Sequence, residues 1–102
     1  MGYEKEIEAV EREWSFEDGF FWHLRQGHFS AGEFERTLAA LGAISISDNA
    51  ELPLRLVSLL WYGPVFMHWQ SERVQEAGGD LVAYENAIAL ITNEIERLLG
   101  LP

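Results

Sequence analysis

Cysteine is absent from this 102-residue chain, which closes disulfides, thiolate metal sites and cysteine nucleophiles together. Lysine is almost absent as well. Lys5 stands alone beside six arginines, a bias found in GC-rich bacterial genomes. Bases total 7 against 17 acids, a formal charge of −10. A surface of that sign repels nucleic-acid phosphates and anionic lipid heads, so a basic groove for nucleic acid is excluded. Long apolar runs are missing too. The most apolar window, residues 56–67, is about 12 residues long where a membrane span needs about 20, and Gly63-Pro64 interrupts it. The acidic start, Met1-Gly2-Tyr3-Glu4-Lys5-Glu6, lacks the apolar core of a secretory signal. Glu6 also stands where a myristoylation pattern requires Ser or Thr. The expectation is a bacterial, cytoplasmic protein with no membrane contact.

Hydrophobic residues make up 48% and aromatics 13% of the chain, a globular composition with material for one core. Residues 1–102 therefore read as a single helical domain without repeats, low-complexity tracts or linkers. Tyr3, Ile7, Val10 and Trp14 recur at helical spacing, with Glu4, Glu8 and Glu11 on another face. Ser15 with Asp18 resembles a capping box before Phe16, Phe20, Phe21 and Leu24, and that helix should stop at Gly27. Ser30 and Glu33 form a second such box ahead of Phe34, Leu38 and Leu41, closed by Gly42 as a left-handed cap. Ala43 to Ser47 alternates like a short strand or an extended connection. Asp48-Asn49 and Pro53 open a nearly apolar helix over 54–62, which Gly63-Pro64 breaks before a further helix to about Glu76. Asp80 caps the last helix, where Leu81, Tyr84, Ile88, Ile91, Ile95 and Leu98 form one stripe ending at Gly100. The spacing predicts an all-α bundle of four to five helices, with helix 81–99 closing against helix 54–62 and an extended segment near 43–47.

Catalytic patterns are missing. Gly27-His28-Phe29-Ser30-Ala31-Gly32 has two residues between glycine and serine where a nucleophile elbow has one, and Ser30 serves as a cap. His23, His28 and His68 are candidate metal ligands, yet no Glu-x-x-His or His-Glu-x-x-His spacing occurs; His68, Glu72 and Glu76 read as a solvated stripe. The Walker and dinucleotide glycine patterns are also absent. No metal, cofactor or catalytic residue is assigned.

Two features remain. Residues 1–18 carry seven acids against Lys5 and Arg12. Glu4, Glu8, Glu11, Glu17 and Asp18 are the candidate contacts for a basic protein partner, with a solvated helix face as the plain alternative. Trp61, Tyr62, Phe66 and Trp69 surround Gly63-Pro64, where a helix break can open a cleft. The second candidate site is thus a cleft lined by Trp61, Tyr62, His68, Trp69 and Glu72, against core packing of the same rings. Exposed rings would also allow homo-oligomers.

The segment Trp14-Ser15-Phe16-Glu17-Asp18-Gly19-Phe20-Phe21-Trp22-His23-Leu24-Arg25-Gln26-Gly27-His28-Phe29 resembles the Phe-x-x-Leu-Arg-x-Gly-x-Phe type of stretch in small bacterial immunity proteins of polymorphic toxin systems. That resemblance implies a cytoplasmic antidote that binds and blocks a cognate toxin. The expected function is a non-enzymatic protein-binding module of this immunity-like kind. A small-ligand or metal-binding domain, or an enzyme, built on the 61–72 cleft is the alternative.

Overall fold

The apolar stripe of the first segment winds into α1 (Glu4–Arg12), whose Val10 is buried and whose Tyr3 and Ile7 pack on the core. Glu4 and Glu6 occupy its first turn and Arg12 its last, matching the helix dipole. The computed structural model describes residues 2–47 and 49–102, and the starting signal expected at Asp48 lies outside them. Among the described residues the elements are all helical: α1 is followed by α2 (Phe20–Arg25), α3 (Ala31–Gly42), α4 (Leu54–Trp69), α5 (Ser71–Glu76) and α6 (Leu81–Leu99). The architecture is all-α as the spacing predicts. The helix count is six, above the expected four to five, and residues 44–47 run as an irregular connection without strand pairing.

Local chemistry explains several boundaries. The Ser30 hydroxyl accepts from the Glu33 amide at 3.2 Å, and Asp80 accepts from the Ala83 amide at 3.1 Å, each satisfying an orphan donor of a first turn. Gly27, at φ +80°, ends the turn after α2 in a conformation that side chains disfavour. Gly42 is different from expectation: it stays inside α3, and Ala43 caps the helix with ordinary helical angles.

The start of α2 corrects the capping box expected at Ser15 and Asp18. Ser15 donates its hydroxyl backward to the Arg12 carbonyl at 2.6 Å, so it is spent on the end of α1. Gly19 takes the cap position, and Glu13 reaches over the turn. Its carbonyl accepts from the Phe21 amide at 2.8 Å and its carboxylate from the Phe20 amide at 3.3 Å. A side chain at position 19 would run into the Glu13 carbonyl.

The expected break at Gly63-Pro64 does not occur. α4 runs through Pro64 to Trp69, although a proline inside a helix forfeits one hydrogen bond and costs about 3 kcal/mol. Leu59 and Leu60 before it, and Phe66 and Met67 after it, are buried in the same core, and burying four such side chains outweighs that cost. Gly63 relieves the clash that proline imposes on its predecessor; it also lets the Phe21 ring and Ile91 approach to 3.4 Å of a would-be Cβ. The helix turns instead at Gln70, whose amide is shared between the Phe66 and Met67 carbonyls at 3.1 and 3.2 Å.

One contiguous core draws side chains from all six helices. α6 packs against α4 as the apolar pattern implies: Ile91 sits against Gly63, and the buried Tyr84 hydroxyl donates to the Met67 carbonyl at 2.7 Å. Burial pushes the Tyr84 hydroxyl well above the ordinary phenol range. Arg97 closes the other end of the bundle, donating to the Leu41 and Ile44 carbonyls at 3.2 and 3.4 Å.

Candidate functional site

The acidic segment divides into working parts. Glu4 and Glu8 are exposed on α1, with Glu8 3.9 Å from Arg12. At that exposure and distance the pair contributes little. Glu11 turns to α4 and meets the Arg55 guanidinium at 2.7 Å. Glu17 and Asp18 are exposed in the turn before α2, where Glu17 adopts φ +70°. The backbone carbonyls of these two residues are engaged: Glu17 O accepts from His23 Nε2 at 2.8 Å, and Asp18 O from Arg36 at 3.4 Å.

Glu13, one of the seven acids of residues 1–18, is 2% exposed. Arg36 of α3 grips both its oxygens, Nε to Oε2 at 2.8 Å and Nη2 to Oε1 at 2.7 Å. Such a two-point grip on a carboxylate is the strong form of the interaction. It holds the Arg36 guanidinium above its ordinary value, chiefly through the hydrogen bond to Glu13. Nearby, His23 Nδ1 lies 2.8 Å from Glu33 while Nε2 faces the Glu17 carbonyl. Each ring nitrogen lies within hydrogen-bond distance of an oxygen from a different part of the chain. His23 therefore clamps the 13–19 turn to α3, and its nitrogens are already engaged.

The 61–72 residues do not close into a single cleft. Trp61 and Trp69 are 50% and 64% exposed, and Leu54 is 81% exposed. The half-buried Tyr62 ring bridges the two tryptophans, 5.5 Å from Trp61 and 5.8 Å from Trp69. His68 is exposed near the end of α4, and Glu72 and Glu76 are exposed on α5 beyond the Gln70 turn. The helical stripe expected for His68, Glu72 and Glu76 is thus cut by a change of helix. Of the four clustered rings, Phe66 is buried in the core and the half-buried Tyr62 packs against it.

An open groove of about 380 Å³ does lie at this face, between α2, α4 and the end of α1. Trp61 and Tyr62 line it with Trp14, Arg25, Arg55, Ser58 and Leu59; His68, Trp69 and Glu72 do not. Trp14 stacks on Phe21 at 4.1 Å, and its indole N–H is buried without an acceptor among the described residues. Arg25 lies over the Phe66 ring at 5.3 Å. Trp14 and Arg25 are far from Trp61 along the chain, Trp14 reading as part of the first helical stripe and Arg25 as part of the 14–29 segment, so nothing in the sequence joins them to this groove; Arg55 lies on α4 itself but carries no motif. The void enclosed by Val10, Phe21, Leu60, Gly63 and Ile91 is only about 10 Å³, room for one water at most. Among the described residues no three histidine or acidic side chains converge as a metal-binding group, and no helix is long and apolar enough to cross a membrane.

Neither the protein-family models, the curated proteins nor the solved structures give a match to this chain. Its functional reading rests on its own residues.

Proposed function

We propose that the chain is a non-enzymatic protein-binding module that docks a basic partner through the outer face of α4 and the acidic α1. The observation that carries this reading is the circumference of α4. A helix that is apolar all round belongs inside a protein, yet α4 is covered on one side and presents Leu54, Trp61 and Trp69 to solvent. Large exposed rings are the usual energetic centres of protein contacts. The packing of α1 on α4 sets Glu4 and Glu8 on a neighbouring element, and their charge selects a basic partner and speeds its approach. The −10 charge of the chain opposes a second copy as the occupant. An inhibitor seated on a basic toxin in the bacterial cytoplasm, as for the immunity proteins that residues 14–29 resemble, is the concrete form of this reading.

Affinity capture from extracts of the source organism tests it, using the native chain beside a Trp61→Ala/Trp69→Ala double variant. A basic protein retained by the native chain and lost from the double variant is the expected result. Retention of the same proteins by both, or of no basic protein by either, overturns the reading.

A further inference from the structure

The groove beside Trp61 has a chemistry opposite to that of the molecule around it. In a chain with 17 acids and 7 bases, its lining contains two arginines and no carboxylate. Arg55 is held by Glu11. The Arg25 side chain has no ion-pair partner among the described residues, and its guanidinium lies over the face of Phe66 at 5.3 Å. The remaining walls are the rings of Trp14, Trp61 and Tyr62, with Trp14 and Tyr62 stacked at 5.8 Å and Trp61 edge-on to Tyr62 at 5.5 Å. Ser58 spends its hydroxyl proton on the Arg55 carbonyl at 2.9 Å, so it makes no demand on a ligand. Guanidinium groups recognise carboxylates with paired donors, and ring walls favour a flat apolar body. A volume of about 380 Å³ lies within the range of small-molecule sites.

We propose that the groove binds a free aromatic carboxylate, with the acid group at Arg25 and the ring lying against the wall that Trp61 and Tyr62 form together. The flat ring matches the aromatic walls, and the single negative charge meets the one guanidinium of the lining that lacks a counter-ion. This site is independent of the protein-docking reading, since a groove empty of small molecules would leave the outer face of α4 as it is.

Titration calorimetry on the intact chain with 4-hydroxyphenylacetate tests it, with the neutral 4-hydroxyphenylacetamide as the charge control. Binding of the acid with a Kd below about 1 mM is expected. The amide should bind at least about tenfold more weakly, and Arg25→Gln should weaken the acid by about tenfold or more. Trp61→Ala should weaken acid and amide alike, whereas Arg12→Gln, outside the groove, should change neither. Arg25 and Trp61 are solvent-facing, and an unchanged unfolding midpoint checks that both variants fold. Equal affinity for acid and amide, indifference to Arg25→Gln, or no binding of the acid at about 10 mM would overturn the proposal.

Discussion

Glu13 and Arg36 join the end of α1 to the middle of α3 through a two-point ion pair in which the Glu13 side chain is 3% exposed and the Arg36 side chain 50%. That asymmetry makes the two deletions unequal. Arg36→Ala strands a buried carboxylate and should cost about 3–5 kcal/mol. Glu13→Gln leaves a guanidinium that water can reach, and should cost about 1–2 kcal/mol. Denaturant midpoints measured for both would contradict this if the glutamine variant were the less stable.

Pro64 offers a test of α4 as one continuous helix. In a continuous helix Pro64→Ala restores a missing donor and a better helix former, and should stabilise the protein by about 1–2 kcal/mol. The cost of the native proline relative to alanine, about 3 kcal/mol, sets the upper bound. A melting temperature that stays level or falls would mean that the chain is broken there, as its local sequence suggests.

Gly19→Ala probes the corner before α2. The added methyl meets the Glu13 backbone, which cannot retreat without loosening its bonds to Phe20, Phe21 and Arg36. A loss of about 1–3 kcal/mol is expected from the overpacking. Gly78→Ala is a useful comparison: it shares no such contact, and its strain comes from φ +85° alone. Equal unfolding midpoints for the Gly19 variant and the native chain would remove the close approach from the account.

Tyr84 sets an alkaline limit. Its hydroxyl is raised by burial, so the unfolded chain loses this proton at lower pH than the folded one. Above the unfolded value the unfolded state binds fewer protons, and stability falls with pH. The contribution is therefore complete below about pH 10 and declines progressively above it. Tyr84→Phe should cost about 0.5–1.5 kcal/mol at neutral pH through the lost bond to Met67, and should flatten the decline above pH 10. An identical alkaline slope in both proteins would rule out Tyr84 as its source.

The sequence made legible what is decided within a few residues. The caps at Ser30 and Asp80 and the stop at Gly27 are local arrangements of one side chain and one turn, and the α6 stripe repeats over enough turns to be unambiguous. Pro64 was misleading because the local penalty is real but smaller than the burial on either side of it. The Ser15 and Asp18 box was misleading for another reason: α2 begins where Glu13 can be buried, and burial of Glu13 depends on Arg36, 23 residues away. The candidate site was legible in part. Trp61 and Tyr62 do face one groove, but an apolar run gives no sign of which side remains uncovered. Arg55 shares their helix two turns earlier, whereas Arg25 joins them only through the packing of α2 on α4.

The unequal settings of the tryptophans give the molecule an internal optical gauge. Trp14 is sheltered by its stack on Phe21, while Trp61 and Trp69 stand half or more in solvent. A collisional quencher should dim the latter two first, and anything seated over α4 should shield them while leaving the sheltered indole's emission in place. Occupancy of that helix can therefore be followed by light alone, without a label, in the same sample used to measure binding.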